Sequence, residues 1–554
     1  MTRTHRTRRG RRLAAALLAF SLAVAACGGG DDADDATSGG DDDGTPTPGG
    51  EVIYALEAET NDGWCLPESQ LAISGIMVSR TIYDTLTAPN GDGEYVPYLA
   101  ESVEPNADFT QWTIALREGI TFHDDSPLTA QVVKNNLDAF RGAYPARNPL
   151  LFRLVFADIA DVQVVDDLTV TITTSRSWVS LPAYLYSSGR LGIMAQAQLD
   201  DPATCQENLI GTGPFELEEW VVNDHLTASK NENYWQTDAD GVQLPYLDEI
   251  EFRPVPEAAQ RFNLLQAGEI SATHESGGEL ISQLRPLDEA GTINLTESSD
   301  FSETQYLLLN SEQTPFDNIL ARRAVAHAIN YEQLNQLRNQ NVPLIANGPF
   351  APGNIGFLED TGFPSYDPDE ARSLVEQYEQ ETGQPIEFTY STASDPGTVQ
   401  TAEVIQEMLR EVGIEGSGEQ VDQATLINRA IGGQFQLLGW RNHPGDDPDG
   451  QYVWWYSTQI TNFGNINDPE IDRLLDDGRT TPDPATRQQL YEDLSRRFAD
   501  QVWNVWLTWV VWAVPTAPDV HGVFGPPLPD GGDPFPGLAS GHPTLGMWVE
   551  GGGG

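Results

Sequence analysis

The sequence predicts an α/β fold with more than one hydrophobic core. Roughly 500 of the 554 residues follow a polar N-terminal region, and a single core seldom grows that large. Strand-like alternation of apolar and polar residues dominates the first part of this stretch, whereas helix signals alternate with short apolar strands in the second. Such alternation is typical of a sheet covered by helices.

The first strand signal is Glu51–Leu56, which we expect to open the folded body. From Trp112 onward apolar residues alternate, and Arg117-Glu118-Gly119 is expected to turn the chain into Ile120-Thr121-Phe122 as a β-hairpin. A second hairpin is expected where Asp166-Asp167 separates two alternating runs. These elements place strands early in the chain.

Helix signals follow. Thr129 is a candidate N-cap for a helix with one apolar face, and 401–412 is expected to form a helix ended by Gly413. Three further helix starts share a capping aspartate followed by proline at the first helical position: Asp367-Pro368, Asp468-Pro469 and Asp483-Pro484. The densely apolar stretch 502–514 is too short to span a membrane and is predicted to be buried strand.

The formal net charge of −53 excludes some partners. Nucleic acid and anionic lipid surfaces are poor partners for so acidic a chain. The acids are scattered over the whole sequence rather than gathered in one patch. They therefore indicate a solubilising surface more readily than a trap for cationic ligands.

The first twenty-seven residues predict export. Six arginines precede the apolar run Leu13–Ala23, which is too short to remain in a bilayer as a helix. The run ends in Val24-Ala25-Ala26-Cys27, which resembles the bacterial lipoprotein box, where the cysteine is lipidated and becomes the mature N-terminus. The alternative is an ordinary secreted protein cleaved nearby. Residues 28–50 are rich in aspartate and glycine and are expected to form a disordered tether.

Localisation follows from these signals: a folded body held by a lipid anchor at the outer face of a bacterial cell membrane. Two further cysteines, Cys65 and Cys205, would then face an environment that permits disulfides, and pairing them leaves no odd thiol. We expect a disulfide between them, with two buried free thiols as the alternative.

Motifs for catalysis are lacking in the sequence. It contains no nucleophile elbow, zinc-protease helix, phosphate-binding loop or paired-cysteine metal spacing, and its histidines lie far apart. No metal or cofactor is predicted, and the sequence favours a binding protein over an enzyme. An extracellular hydrolase with an unrecognised carboxylate site stays open as an alternative.

Six blocks in order carry a resemblance to a known family. They are 98–102 with 112–130, 211–220 with 233–235, 245–250, 265–270, 315–317 and 322–324. Together with the lipoprotein-like N-terminus they resemble family 5 extracellular solute-binding proteins, the peptide- and nickel-binding components of ABC importers.

The resemblance implies a type II periplasmic-binding-protein fold with two lobes around a cleft. The first lobe would comprise 51–300, with an extra subdomain near 91–209. The second lobe would comprise 301–515, and 516–554 would return to the first lobe and end in a glycine-rich tail. The chain would cross between lobes near 300 and near 515. The resemblance also implies a monomer that closes around its ligand and is then recognised by membrane permease subunits.

The resemblance places the second lobe's ligand wall at 437–449. In dipeptide-binding relatives an aspartate shortly after the matching tryptophan holds the ammonium group of the peptide. Here Arg441 follows Trp440, and the nearest acids are Asp446 and Asp447. Arg441 is expected either to hold a carboxylate of the ligand or to form a salt bridge with a local acid. The remaining candidate ligand-binding residues are Asn442, His443, Trp454, Trp455, Ser74 and Gly75.

The predicted function is capture of a peptide or similar small organic solute for an ABC permease. Receptors for a metal–chelate or a sugar-type ligand are the nearest alternatives, with His443 as the candidate contact to a chelated metal. A sensor or adhesion protein that kept the fold is a further alternative, beside the hydrolase.

Overall fold

The computed structural model describes residues 44–60, 63–69, 71–149, 151–394, 396–442 and 447–552. The predicted signal peptide, Cys27, His443 and Asp446 lie outside these residues. Residues 45–554 belong to one compact unit. Among the described residues, no helix is both long and apolar enough to cross a membrane.

The strands are β1 Glu51–Leu56, β2 Thr87–Pro89, β3 Tyr95–Pro97, β4 Ala100–Pro105, β5 Gln111–Leu116, β6 Ile159–Asp166, β7 Thr169–Thr174, β8 Phe215–Val221, β9 His225–Lys230, β10 Glu249–Pro254, β11 Ala272–Thr273, β12 Asn294–Ser298, β13 Thr304–Leu309, β14 Leu344–Ile345, β15 Glu387–Ala393, β16 Glu415–Val421, β17 Leu437–Arg441, β18 Asn504–Trp509, β19 Trp512–Thr516, β20 Val520–His521 and β21 Trp548–Val549.

The helices are α1 Ile73–Ile82, α2 Ala130–Phe140, α3 Phe152–Val155, α4 Leu181–Tyr184, α5 Gln196–Asp200, α6 Ala258–Ala267, α7 Gly278–Glu289, α8 Ile319–Ala328, α9 Tyr331–Asn339, α10 Pro368–Thr382, α11 Pro396–Glu411, α12 Gln423–Ile431, α13 Tyr452–Trp455, α14 Pro469–Thr480 and α15 Pro484–Gln501. A 3-10 helix, Pro448–Gln451, precedes α13.

The first sheet has the strand order β12-β19-β11-β1-β10-β9-β8. Strand β1 lies inside it, parallel to both β10 and β11. Apolar residues fill β1 almost continuously, and Val52, Tyr54 and Ala55 are fully buried. Such a run suits a strand covered on both faces, so the predicted opening strand is confirmed.

A separate four-stranded sheet, β4-β5-β7-β6, lies within the region expected to hold the extra subdomain. The hairpin around Asp166-Asp167 is confirmed, because β6 and β7 pair antiparallel there. The hairpin predicted to return at 120–122 is wrong. Both edges of β5 are occupied by β4 and β7, so Thr121 makes only an isolated bridge to Pro127. Asp124 closes that stretch as a local turn by accepting hydrogen bonds from Ser126.

The second sheet has the order β14-β18-β13-β17-β15-β16. One face, with Leu307 and Val505, packs against α8, α10 and α11. The other face carries Tyr306, Leu308 and Trp506 and packs against α13, α14 and α15. Helices thus cover the sheet on both faces, as the alternation of helix and strand signals predicted.

Two chain crossings connect the sheets. Residues 299–303 lead from β12 in the first sheet to β13 in the second, and Val510 and Val511 lead from β18 back to β19. The apolar stretch 502–514 therefore supplies buried strands to both sheets rather than a single strand. The expected crossings were near 300 and near 515. Since β19 ends at Thr516, the second crossing lies a few residues earlier in the chain.

Local capping signals predicted helix starts well. Thr129 accepts a hydrogen bond from the backbone of Val132 at the start of α2. Asp367, Asp468 and Asp483 each accept backbone hydrogen bonds at the starts of α10, α14 and α15, and the following proline occupies the first turn. Helix α11 starts at Pro396, earlier than the expected 401, which places another proline at a helix start.

Residues at the end of the expected tether contact the folded body. The Thr47 hydroxyl donates to the carbonyl of Val549 over 2.9 Å, and the Gly49 amide donates to the carbonyl of Tyr246 over 2.8 Å. Backbone hydrogen bonds of this kind fix a segment that composition alone predicts to be disordered. The disordered character expected for 28–50 therefore does not extend to these residues.

Candidate functional site

A cavity of about 450 Å³ lies between the two sheets. On the first-sheet side it is lined by Glu57 after β1, the start of α1, α3, the stretch from α4 to Arg190, and Trp512 of β19. On the other side it is lined by β13, β17, the start of β18 and the segment around α13. Its volume falls in the range of small-molecule sites.

Aromatic side chains form much of the wall. Trp440 and Trp454 both line the cavity and meet the ring of Phe463 edge-on, with centroid distances of 5.9 and 5.7 Å. Trp455 also contributes to the lining, but it is buried and packs on Phe498 with centroids 4.7 Å apart. The first two tryptophans thus offer flat apolar surface to a ligand, whereas Trp455 also belongs to the core.

Arg441 and Glu303 form an ion pair in the cavity wall. The Arg441 guanidinium donates to Glu303 Oε1 over 2.8 Å. The Arg441 side chain is 45% exposed and that of Glu303 is 11% exposed. Burial raises the pKa of Glu303, and Arg441 opposes that rise. The salt bridge expected as one alternative for Arg441 is present, while its exposed guanidinium still borders the cavity.

Asn442 and Asp447 line the cavity but have structural partners. Asn442 accepts from the backbone of Thr304 over 2.5 Å and donates to the carbonyl of Pro349 over 3.1 Å. Asp447 accepts from both terminal guanidinium nitrogens of Arg487, one of them over 2.7 Å. Asp447 is thus neutralised by an arginine of the protein, which weakens it as an anchor for a ligand ammonium group.

Ser74 and Gly75 are not among the residues that line the cavity. Both are buried in α1, and Ser74 accepts a hydrogen bond from the backbone of Ala58 over 3.3 Å. Because residues three apart share a helix face, Ile73 and Ile76 contribute to the wall instead. The structure therefore does not place the expected residues Ser74 and Gly75 in the cavity wall.

Several lining residues were missed by sequence reasoning: Glu57, Arg190, Glu303, Gln451 and Asn504. Glu57 could have been predicted from its position in the sequence. It directly follows the carboxyl end of the central strand β1, where ligands of α/β proteins commonly bind. The others come from loops and strand ends scattered along the chain. Only the pairing of the strands brings them together.

Beside the cavity lies a buried ion pair that sequence reasoning also missed. Asp449 is fully buried and accepts from Arg479 over 2.8 Å and from the Trp178 indole over 2.9 Å. Arg479 donates further to Asp158 and to the hydroxyl of Tyr184, each over 3.0 Å. The cluster joins 158–184 to 449–479, stretches that the resemblance assigned to different lobes.

The two cysteines expected to pair are joined in the structure. Cys65 and Cys205 lie 2.07 Å apart at their sulfur atoms, and both are buried. For metals, the described residues contain no group of three or more His, Cys, Asp or Glu side chains placed to hold an ion.

Comparison with known proteins gives a family match over most of the chain. The sequence profile described as bacterial extracellular solute-binding proteins, family 5 Middle, matches residues 94–463. A glutathione-binding protein of Pectobacterium atrosepticum is 28% identical over 442 residues, covering 77% of this chain and 82% of that protein. A nickel-binding periplasmic protein of Escherichia coli is 24% identical over 450 residues, covering 76% and 82%.

Among solved structures, the fold resembles a periplasmic binding protein of Helicobacter pylori determined in complex with a peptide. The TM-score is 0.77 at 22% identity, and the match covers 91% of this chain and 99% of that chain. The expected α/β fold of periplasmic binding proteins is thereby confirmed. The chain belongs to the bacterial extracellular solute-binding proteins of family 5.

Proposed function

We propose that this protein captures a peptide-like organic solute in the cavity between its two sheets and delivers it to an ABC permease. The observation that carries the proposal is the cavity itself, with aromatic walls and charged groups of both signs. Such a lining suits a solute that has charged ends and an apolar middle. Membership of a solute-binding family supports binding, rather than catalysis, as its role.

Capture would proceed by closure of two lobes, the first formed by 51–300 with the chain from β19 onward and the second by 301–509, with the second crossing at Val510 and Val511. A solute shifts such an equilibrium only by its difference in affinity for the open and closed forms. The cavity supports this mechanism because residues of both sheets border the same space, for example Glu57 and Trp512 on one side and Trp440 on the other. The closed monomer is the form we propose for the permease to recognise.

The experiment is to identify the bound solute. Protein purified gently from its host is denatured, and the released small molecules are identified by mass spectrometry and then titrated back calorimetrically. We expect a peptide or a related amino-acid derivative that binds one per chain. Turnover of that solute on incubation with the protein would contradict a purely binding role.

Anchoring gives a separate prediction. We propose that residues 1–26 are a signal peptide and that Cys27 carries the lipid, on the strength of the lipoprotein-like sequence alone. Cys27→Ala removes the thiol that takes the lipid, so the variant should leave the membrane fraction almost completely. Immunoblots of fractionated cells measure this. Ser38→Ala, in the same polar stretch, is the control and should stay with the membrane; a membrane-bound Cys27→Ala variant would contradict the anchor.

Arg441 provides a prediction within the cavity. Arg441→Ala removes a positive charge from the wall and should weaken binding of a solute with a carboxylate about tenfold, roughly 1–2 kcal/mol. Because the Arg441 side chain is half exposed, the stability of the ligand-free protein should fall by less than the roughly 3–5 kcal/mol typical of breaking a fully buried pair, and the loss arises from Glu303, which is left buried without its cation. Calorimetric titration and thermal unfolding measure the two effects.

The matched control for Arg441 is Arg429→Ala. Arg429 also pairs with a glutamate, Glu419, but does not line the cavity. It should leave affinity unchanged. Equal affinity of wild type and Arg441→Ala would remove Arg441 from the site and leave it with the structural salt bridge to Glu303.

A further inference from the structure

Asn504 is a polar side chain in the wall of the cavity. It opens β18, lies opposite Leu308 of β13, and is 1% exposed. Directly opposed residues of antiparallel strands face the same side of a sheet, so Asn504 shares the cavity-facing side with Leu308 and Tyr306. Apart from Asn504 and Thr508, every residue of β18 is apolar or aromatic, so an amide at this position is unexpected.

Within the described residues, neither the oxygen nor the nitrogen of the Asn504 amide has a hydrogen-bond partner. A buried amide left in this state costs about 1–3 kcal/mol for each unpaired group, so native proteins seldom keep one without a use. Asn462, which also lines the cavity, shows the contrast. It donates to the carbonyl of Ile466 over 2.8 Å and accepts from the same residue's backbone over 3.0 Å.

The neighbours of Asn504 on the same face of the second sheet are uncharged. The cavity residues near it on the second sheet are Leu308 and Tyr306, and Leu438 completes that row of the face. In the register of β17 with β13, Arg441 lies opposite Gln305. Gln305 is three residues before Leu308, so Arg441 and Asn504 are about 10 Å apart along the strand direction. The ion pair of Arg441 with Glu303 and the Asn504 amide thus lie at different positions along β13.

A second buried polar side chain in the cavity wall also has an atom without a hydrogen-bond partner among the described residues. Gln451, at the end of the 3-10 helix, lines the cavity and is 7% exposed. Its Oε1 has no hydrogen-bond partner among the described residues. This oxygen can accept one more hydrogen bond, from an N–H or O–H of a ligand.

We infer that Asn504 is a specificity-determining residue that pairs with a neutral carboxamide or peptide unit of the solute. A primary carboxamide presents a donor beside an acceptor, and so do the N–H and C=O of one residue in an extended peptide, which belong to adjacent peptide units. Either arrangement satisfies both atoms of Asn504 in two hydrogen bonds. A carboxylate has no donor and an ammonium group has no acceptor, so either would leave one atom of Asn504 unpaired. This inference rests on the proposed function, because it assigns part of the solute to the same cavity.

The test uses amide and ester versions of the same probes. Wild type, Asn504→Leu and Asn504→Ser are titrated calorimetrically with a set of tripeptides and with their depsipeptide analogues, in which an ester oxygen replaces one amide N–H. Nickel–histidine and a disaccharide serve as probes without a peptide unit. We expect at least a tenfold loss of affinity in wild type for one position of ester replacement, because that change removes the donor.

In Asn504→Leu the tripeptide itself should bind at least tenfold more weakly, and amide and ester should bind alike within about twofold. Asn504→Ser, which keeps a hydroxyl, should retain part of the preference. The melting temperature of the ligand-free leucine variant should not fall, since no hydrogen bond of the protein is lost. Asn462→Leu is the control, and it should lower the melting temperature.

Tripeptide affinity unchanged by Asn504→Leu would overturn the inference while leaving the proposed function intact. So would wild-type protein that binds only nickel–histidine or the disaccharide. A third outcome would also overturn the inference. If Asn504→Leu fails to fold, and Asn504→Ser is less stable but keeps the wild-type ratio of amide to ester affinity, then the role of Asn504 is structural. Failure of wild type to bind any probe or any solute from its host would instead overturn the proposed function, and the inference with it.

Discussion

Asp449→Ala is expected to lower the free energy of unfolding by about 3–5 kcal/mol, the usual cost of removing one partner of a buried ion pair. The Arg479 side chain is only 3% exposed and would keep its charge without the carboxylate that faces it. Burial alone would lower the pKa of Arg479, but Asp449 and Tyr184 hold it above its usual value. The substitution would also leave the Trp178 indole and the Ser180 hydroxyl without their acceptor.

Denaturant unfolding of wild type and variant measures this effect. Arg473→Ala is the matched control. Arg473 lies on α14, the helix that also carries Arg479, but it pairs with Glu470 and Asp477 at the surface. Exposed pairs of this kind contribute about 1 kcal/mol or less. A loss of that small size for Asp449→Ala as well would show that the existing ion pair of Arg479 with Asp158, at 3.0 Å, is enough to compensate its charge.

Local signals explain why much of the fold could be predicted. A capping aspartate and the proline after it act within one helical turn, so the starts of α10, α14 and α15 are visible in four or five letters of sequence. Strand β1 can likewise be predicted from its nearly continuous apolar run. Strand pairing is different, since it depends on residues far apart. For this reason the hairpin predicted at 117–119 is wrong.

The site residues show the same difference between local signals and long-range contacts. Trp440 and Arg441 could be proposed from their place in a family-like segment, and both line the cavity. Asp449 could not, because its partners Arg479 and Trp178 are 30 and 271 residues away in the chain. Asn504 looks from the sequence like an ordinary polar residue at a strand end. Only the register of β18 with β13 and the lack of a partner in the described residues distinguish it.

Loss of the bond between Cys65 and Cys205 is the second change expected to have a large effect. The two residues are 140 positions apart, so the bond closes a long loop in the unfolded chain. Chain-entropy estimates assign a loop of this length about 4–5 kcal/mol of stabilisation, acting mainly by restricting the unfolded state. The Cys65→Ala/Cys205→Ala variant should therefore unfold at markedly lower denaturant concentration than wild type.

Reductant provides the control for the cysteine pair. Wild type unfolded in the presence of a phosphine reductant should approach the stability of the double alanine variant, whereas that variant should not respond to the reductant. Peptide mapping by mass spectrometry without reduction should recover the Cys65 and Cys205 peptides as one linked species. Quantitative alkylation of both thiols in native, unreduced protein would contradict the bond. In that case the two buried cysteines would contribute to stability only as small apolar side chains within the first core.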